Sequence, residues 1–487
     1  MERVGKCRGS TRHQKRLVET SLIHGQPRRV RVYSLGVSTM RCASGRRILF
    51  VAWGFPPFSG SGAWAPLGTA NALARRGHEV TVLAADRWTL GLRGQFDPES
   101  AAMIDSNVKV YRWPMPLGPA DPLIARWEIG RVNAACGGKK RHESWERRHR
   151  NWLKMSQANW SKVFPEPDGA AYFARCYPIL TAAARHLHRT AGFDLVAATA
   201  GPWVDLSVVL HLGAEFGVPT FYYDRDAWMF KTFTGEPHAN AADIEPLQAQ
   251  ILDLVTQAWY VNESIAQLHR QQFPQQVEKI KVVPNGWDRE FLPGEITPPN
   301  RAPGRGLTFR YVGTIPSGFP LETLTEAWRK ARESDEVVAR SRLEIVGANY
   351  GPAFGPGLAS LGISHRERIS RTALARVFGE TDVLVFMVPG GPLVTSSRIY
   401  EYAATGLPIV AGVAPDHSAQ KVLAGRDLVF QAGSVESNAL SKAIIAAASR
   451  APTPAETAQA HRHAEALNRD MVLDSAIASL EVALRWT

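Results

Sequence analysis

The sequence predicts an α/β protein made of two parallel-sheet domains that face each other across a crevice. Three observations lead there. A strand–glycine loop–helix–strand unit occupies residues 47–84, the same plan restarts at residue 307, and a Pro, Gly and Arg stretch with little to bury, 293–306, separates the two. The 487 residues exceed one ordinary core, and a 45% apolar content with 9% aromatics can fill two.

The first domain, 47–292, begins with an apolar run at 47–53 that turns off at 54–57. Gly60-Ser61-Gly62 precedes a helix over 64–76, in which Leu67, Ala70, Leu73 and Ala74 recur on one face until Gly77 stops it. Strands follow at 79–84 and 108–112. An insert at about 114–190 is rich in Trp and Arg and reads as two helices, about 125–160 and 170–190. The sheet resumes with strand 194–199, helix 202–215 and strand 219–223, after which Asp224-Arg225-Asp226 comes directly. A helix over 251–259, strand 259–261, helix 265–272 and strand 280–283 complete the domain. The second domain, 307–465, reads as strand 307–312 ending at Gly313, helix 320–333, strand 342–346, helix 373–379 and strand 382–388. A Pro/Gly turn, helix 397–404, strand 408–410 and helices over 436–449 and 455–485 follow, with 466–487 set apart as a terminal helix.

The formal charge of +12 is localised. Residues 1–47 hold 12 Lys and Arg against 2 Asp and Glu, and 126–162 holds 10 against 3. The remainder is slightly acidic, so any long-range attraction to polyanions belongs to those two pieces. The leader, 1–46, is expected to be disordered. Its spacing lacks a secretory pattern, and no run reaches the roughly 18 apolar residues of a membrane span. Cys7, Cys42, Cys136 and Cys176 form no close pair, which excludes a disulfide-rich scaffold or zinc knuckle and fits a reducing, cytoplasmic compartment. No histidine set has ligand spacing, so no metal is expected. The stretch 145–160, with Trp145, Trp152 and Trp160 among Arg and Lys, suits an anionic lipid surface at the inner face of a membrane. It suits a half-buried helical hairpin equally well.

Three constellations can carry chemistry. Gly60-Ser61-Gly62, between a strand and a helix, can offer backbone N–H groups to a phosphate or be a plain tight turn. Position 65 is Ala, so no full dinucleotide fingerprint exists, and no P-loop is present. Asp224-Arg225-Asp226 ends a strand where open parallel sheets bind ligands. It can clamp hydroxyls or phosphate, or form an internal salt-bridge knot. Arg398 and Glu401 share a helix face at i,i+3 after a Pro/Gly turn. They can serve a diphosphate and a vicinal diol, or simply form a salt bridge on a solvated helix.

At these residues the chain resembles the family 4 glycosyltransferases of the GT-B fold, which has two Rossmann-like domains across a crevice. The segments that carry the resemblance are 55–62, 72–80, 224–228, 283–288, 311–314, 344–347 and 398–408, in that order. The resemblance implies a retaining transfer of a hexosyl group from a UDP-, GDP- or dTDP-sugar to a hydroxyl acceptor. Cell-surface polysaccharides, lipid-linked acceptors and secondary metabolites are among the acceptors it suggests. The first domain would take the acceptor, with Asp224, Arg225 and Asp226 at the reaction. The second would hold the donor. Glu401 would accept the ribose hydroxyls from a wet crevice, and amides of Gly60, Ser61 and Gly62 and of Leu393, Val394 and Thr395 would hold the diphosphate beside Gly313 and Arg398. The terminal helix would cross back onto the first domain. No separate cofactor is implied.

Two departures stand out. The acidic residue the family carries eight positions before the ribose glutamate is Leu393 here, and Gly313–Glu322 contains no Lys or Arg for the phosphates. A two-domain nucleotide-sugar epimerase shares the plan and remains an alternative. A nucleic-acid-binding protein acting through the leader has no recognition domain in 47–487 to support it.

Overall fold

The structure, a computed structural model, describes residues 45–86, 97–113, 162–167, 171–292 and 304–486, together with 296, 299, 301 and 302. Residues 1–44 of the leader, the helix expected over 125–160 and half of the linker lie outside the described residues.

Seven strands make the first sheet: Arg47–Val51 (β1), Glu79–Ala85 (β2), Val108–Trp113 (β3), Leu195–Thr199 (β4), Thr220–Asp224 (β5), Gln257–Tyr260 (β6) and Ile280–Val282 (β7). Their order is β3-β2-β1-β4-β5-β6-β7. Six make the second: Thr308–Val312 (β8), Arg342–Val346 (β9), Ile363–Arg366 (β10), Val383–Met387 (β11), Ile409–Gly412 (β12) and Val429–Gln431 (β13), ordered β10-β9-β8-β11-β12-β13. Every ladder is parallel, as in the pairing of Ile48 with Val80 on one side and Leu195 on the other. Helices cover both faces, which is why the central strands are continuous apolar runs rather than alternating ones. Ile48 to Val51, all of β4 and all of β11 are buried.

The sequence reading placed the edges of the first sheet but missed those of the second, and misplaced one helix. Strands β10 and β13 are short outer strands with half-exposed, partly polar residues, so they lack the apolar run that marks a central strand. The helix expected over 251–259 is instead Ala241–Leu254, and β6 begins at Gln257. Its polar opening contains Pro246, which hides it. Gln257 is tolerated in a buried strand because its amide bonds Ser479 at 3.2 Å and accepts from the Trp259 indole at 2.8 Å. The single helix expected over 455–485 is two, Pro454–Glu465 and Arg469–Ala483. A Thr453–Glu456 capping box starts the first, and the Asn468 side chain caps the second.

The helix Arg469–Ala483 packs on the first domain's helix Trp64–Arg75, with Leu473, Ile477 and Leu480 buried in that core. Glu481, almost fully buried, holds Arg76 (Nε at 2.9 Å) and His78 (3.0 Å). The first domain is thus completed by chain from both sides of the second. Among the described residues no helix is long and apolar enough to cross a membrane.

Candidate functional site: an acid pocket and a guanidinium knot

In each sheet the strand order reverses once, between β1 and β4 and between β8 and β11. Loops diverge there at the carboxyl ends of the strands and leave a place for ligand. The two places have opposite chemistry.

In the first domain, Arg225 follows β5 and reaches back to the switch point. Its Nη2 donates to the Ala200 carbonyl at 3.2 Å and lies 3.5 Å from where a Cβ on Gly62 or Gly201 would stand. Gly201 has φ +89°, a conformation that favours glycine. Four buried or half-buried acids surround this arginine's strand end. Asp224 is fully buried and accepts from the Trp203 indole and the Asp226 N–H, each at 3.2 Å. Burial, reinforced by the Asp226 charge, pushes its carboxyl up to about 8. Burial also raises Asp226. Asp205 accepts the Trp53 N–H at 2.8 Å and is likewise pushed up to about 8 by burial. Glu166 accepts the Val204 N–H at 2.5 Å and the Trp203 N–H at 3.4 Å, and burial raises it well above the usual carboxylate range. Trp228 stacks on Phe164 at 5.3 Å and donates to the Pro165 carbonyl, which fixes the Glu166 segment against the loop after β5. Sequence reasoning found Asp224, Arg225 and Asp226 but not Asp205 or Glu166. The available signal was weak: single acids inside the apolar stretches 202–206 and 164–167.

In the second domain, Gly313 ends β8 and Gly347 ends β9. A Cβ on Gly347 would stand 1.8 Å from the Gly313 carbonyl oxygen, so these two backbones touch and form the floor of an open cavity. Arg368, Arg371 and Arg398 line it, and Trp64 of the first domain lines its far side.

Behind the cavity lies a knot of charges. Glu401, on the helix Arg398–Thr405, is only 2% exposed. One oxygen accepts from Arg371 at 2.5 Å and the other from Arg398. Arg371 also reaches Asp288 at 3.2 Å, and Asp288 is held by Arg469 at 2.5 Å. The Arg371 guanidinium sits 4.8 Å from the Trp64 ring centroid and 4.2 Å from that of Phe291, a cation between two aromatic rings. Burial works to raise the Glu401 carboxyl, but Arg371 and Arg398 outweigh it and hold it below its ordinary value. Burial lowers Arg371, whereas the pairing with Glu401 keeps Arg398 above its usual value despite burial. The expectation that Glu401 looks into a wet crevice is therefore corrected: two guanidiniums cover it. Arg371 and Arg469 escaped the sequence reading, and Asp288 entered it only as the end of the segment 283–288, because their partners are 30 to 181 residues away.

The remaining expected site residues do not gather at this cavity. Gly60 carries the turn into Ser61–Ala63, and Gly62 faces Arg225. Leu393 and Val394 are buried, and the Asn262 side-chain amide bonds the Leu393 carbonyl at 3.3 Å and the Thr395 hydroxyl. That loop is docked on the first domain. Gly313 and Arg398 do line the cavity, with Glu401 directly behind them. Among the described residues no group of three or more His, Cys, Asp or Glu is placed to hold a metal ion.

Two Rossmann-like parallel-sheet domains facing a crevice, with ligand loops at the switch point of each, define the GT-B architecture. Solved structures agree. The chain aligns over 91% of its length with 99% of a glycosyltransferase from Rickettsia africae ESF-5, at 12% identity and TM-score 0.58. It aligns over 90% of its length with 97% of the N-terminal domain of Candida albicans trehalose-6-phosphate phosphatase, at 11% identity and TM-score 0.56. At such identities the likeness is one of fold. No family model and no curated protein matches the chain.

Proposed function

We propose that the protein is a glycosyltransferase that moves a hexosyl group from a nucleoside-diphosphate sugar to a hydroxyl acceptor with retention of configuration. The observation that carries this reading is the cationic cavity at the second switch point, floored by glycine backbone and closed by Trp64 of the other domain. The donor lies there, its diphosphate beside Arg398 and the Gly313 backbone. Negative charge grows on the diphosphate as the bond from the anomeric carbon to the phosphate oxygen breaks. Fixed guanidiniums and amides in a water-poor crevice stabilise that charge with little reorganisation. The acceptor oxygen forms the new bond on the same face and passes its proton to the leaving phosphate, so no side-chain base is needed. Asp224, Arg225 and Asp226 bind the acceptor hydroxyls. Burial pushes Asp205 and Asp224 up to about 8, and a carboxyl in its protonated form can donate a hydrogen bond as well as accept one.

The test is incubation with UDP-, GDP- and dTDP-sugars and a panel of hydroxyl acceptors, followed by NMR of the product's anomeric proton. A glycoside with the donor's anomeric configuration is expected. An isomerised sugar formed without acceptor would assign the epimerase instead, and an inverted product would overturn retention.

A further inference from the structure

The knot behind the cavity is electrostatically incomplete. Among the described residues, Arg371, Arg398 and Arg469 meet only Asp288 and Glu401 in its direct ion pairs. Three guanidiniums against two carboxylates leave one positive charge over, in a place where uncompensated charge is costly. Arg469 is not where the excess lies: it grips Asp288 with Nε and Nη2 and the Gly286 carbonyl with Nη2, and it does not line the cavity.

The unused donors belong to the two arginines that do line the cavity. Arg371 commits a single nitrogen, Nη2, to both of its carboxylates. Its Nε is buried with no hydrogen-bond partner among the described residues, and its Nη1 makes no hydrogen bond to them. Arg398 gives only Nη1, to Glu401. The rings of Trp64 and Phe291 favour a cation between them but offer it no oxygen acceptor. Arg368, exposed at the same cavity, has no ion pair among the described residues. The site therefore holds guanidinium forks in fixed orientation, with a surplus of positive charge and a shortage of acceptor oxygens. An anion with several oxygens on adjacent centres corrects both deficits.

We infer that the diphosphate of the donor is bound by Arg371 together with Arg398, and that Arg371 replaces the basic residue which Gly313–Glu322 lacks. Glu401 acts on this anion as a positioning residue, holding the two guanidiniums on either side of it. Because Arg371 is also tied to Asp288, Trp64 and Phe291, the same arginine links the bound diphosphate to the first domain. This rests on the donor reading above and deepens it.

The test uses the full chain and titrates inorganic pyrophosphate, a set of nucleoside diphosphates and the matching nucleosides by calorimetry, at two salt concentrations. For wild type, pyrophosphate and one diphosphate should bind, with affinity that falls as salt rises. In Arg371→Gln both affinities should fall about tenfold or more and the salt dependence should flatten, because a charge-assisted fork is lost. Nucleoside binding should stay the same. Arg371→Lys, which keeps charge without the fork, should lie between. If Arg371→Gln does not fold, Arg398→Gln carries the same expectation. Wild-type affinity for pyrophosphate in either folded Gln variant overturns the inference. Pyrophosphate binding without any nucleotide binding would sink the donor reading and leave the anion site standing. Failure of wild type to bind either anion sinks both.

Discussion

The two switch points occupy equivalent places in two similar sheets, yet they solve the problem of buried charge in opposite ways. Around Arg225 the first domain gathers Asp205, Asp224, Asp226 and Glu166, and burial drives each of these carboxyls toward its protonated form. The second domain buries Glu401 as deeply but gives it two guanidiniums, and the carboxyl stays ionised. Depth of burial is thus a poor guide to charge state; the number of opposite charges within hydrogen-bond reach decides it. A neutral acid can exchange hydrogen bonds with sugar hydroxyls, whereas a rigid cationic cluster suits a leaving diphosphate.

The sharpest way to break this comparison is to neutralise one acid in each place. Glu401→Gln leaves Arg398 buried without its counter-ion and Arg371 with Asp288 alone, and removing one partner of a buried pair costs about 3–5 kcal/mol. Urea unfolding should show a loss of that size. A change below about 1 kcal/mol would mean that the guanidiniums are hydrated and that the knot is a surface feature.

The pH dependence should split the two places as well. Asp205 and Asp224, raised from 3.8 to about 8, bind protons in the folded chain that the unfolded chain releases above pH 4. Their stabilising contribution is full below about pH 4 and is lost as pH climbs through 8. Glu401 is lowered, so its contribution holds above the ordinary carboxylate range and disappears as pH falls below it. Thermal melts across pH should therefore show a decline between about pH 4 and 8 that Asp224→Asn reduces and a separate decline at more acid pH that Glu401→Gln reduces. A decline between about pH 4 and 8 unaltered in Asp224→Asn would remove that acid from the protonated set.

Smaller effects sharpen the contrast. At about pH 6, Asp224→Asn keeps the shape but puts a donor nitrogen where an oxygen accepts from Trp203 or Asp226, so stability should fall by about 1–3 kcal/mol. Asn262→Ala frees the loop that carries Leu393 and Thr395, and should cost about 0.5–1.5 kcal/mol by the same urea assay. The exposed pair of Arg75 and Asp470 belongs to neither place. A double-mutant cycle on it should return only a few tenths of a kcal/mol, the scale against which the buried knot is judged.

The sheets were legible because central parallel strands are short apolar runs closed by glycine, and both Gly313 and the Asp224-Arg225-Asp226 triplet follow such runs directly. The edges β10 and β13 were not, since a strand buried on fewer sides has less need of apolar residues. Half of the site was legible for a local reason: Arg398 and Glu401 are three residues apart on one helix. Arg371 was not, because nothing in the polar stretch 365–373 distinguishes it until the fold brings Glu401, Asp288, Trp64 and Phe291 around it. Glu401 was placed correctly on its helix and wrongly in its surroundings for the same reason.

The helix Arg469–Ala483 has a consequence for the order of assembly. A ribosome delivers β1 to β7 before any of the second domain, but the helix that packs on Trp64–Arg75 and satisfies Arg76, His78 and Gln257 is translated after it. Domains that fold as units during synthesis normally close in the order in which they emerge. Here the domain that emerges first is finished last, with an apolar groove waiting on its surface while the second sheet is being made. The nascent chain therefore has a stage at which the second sheet is made and the first domain still lacks the helix that covers it.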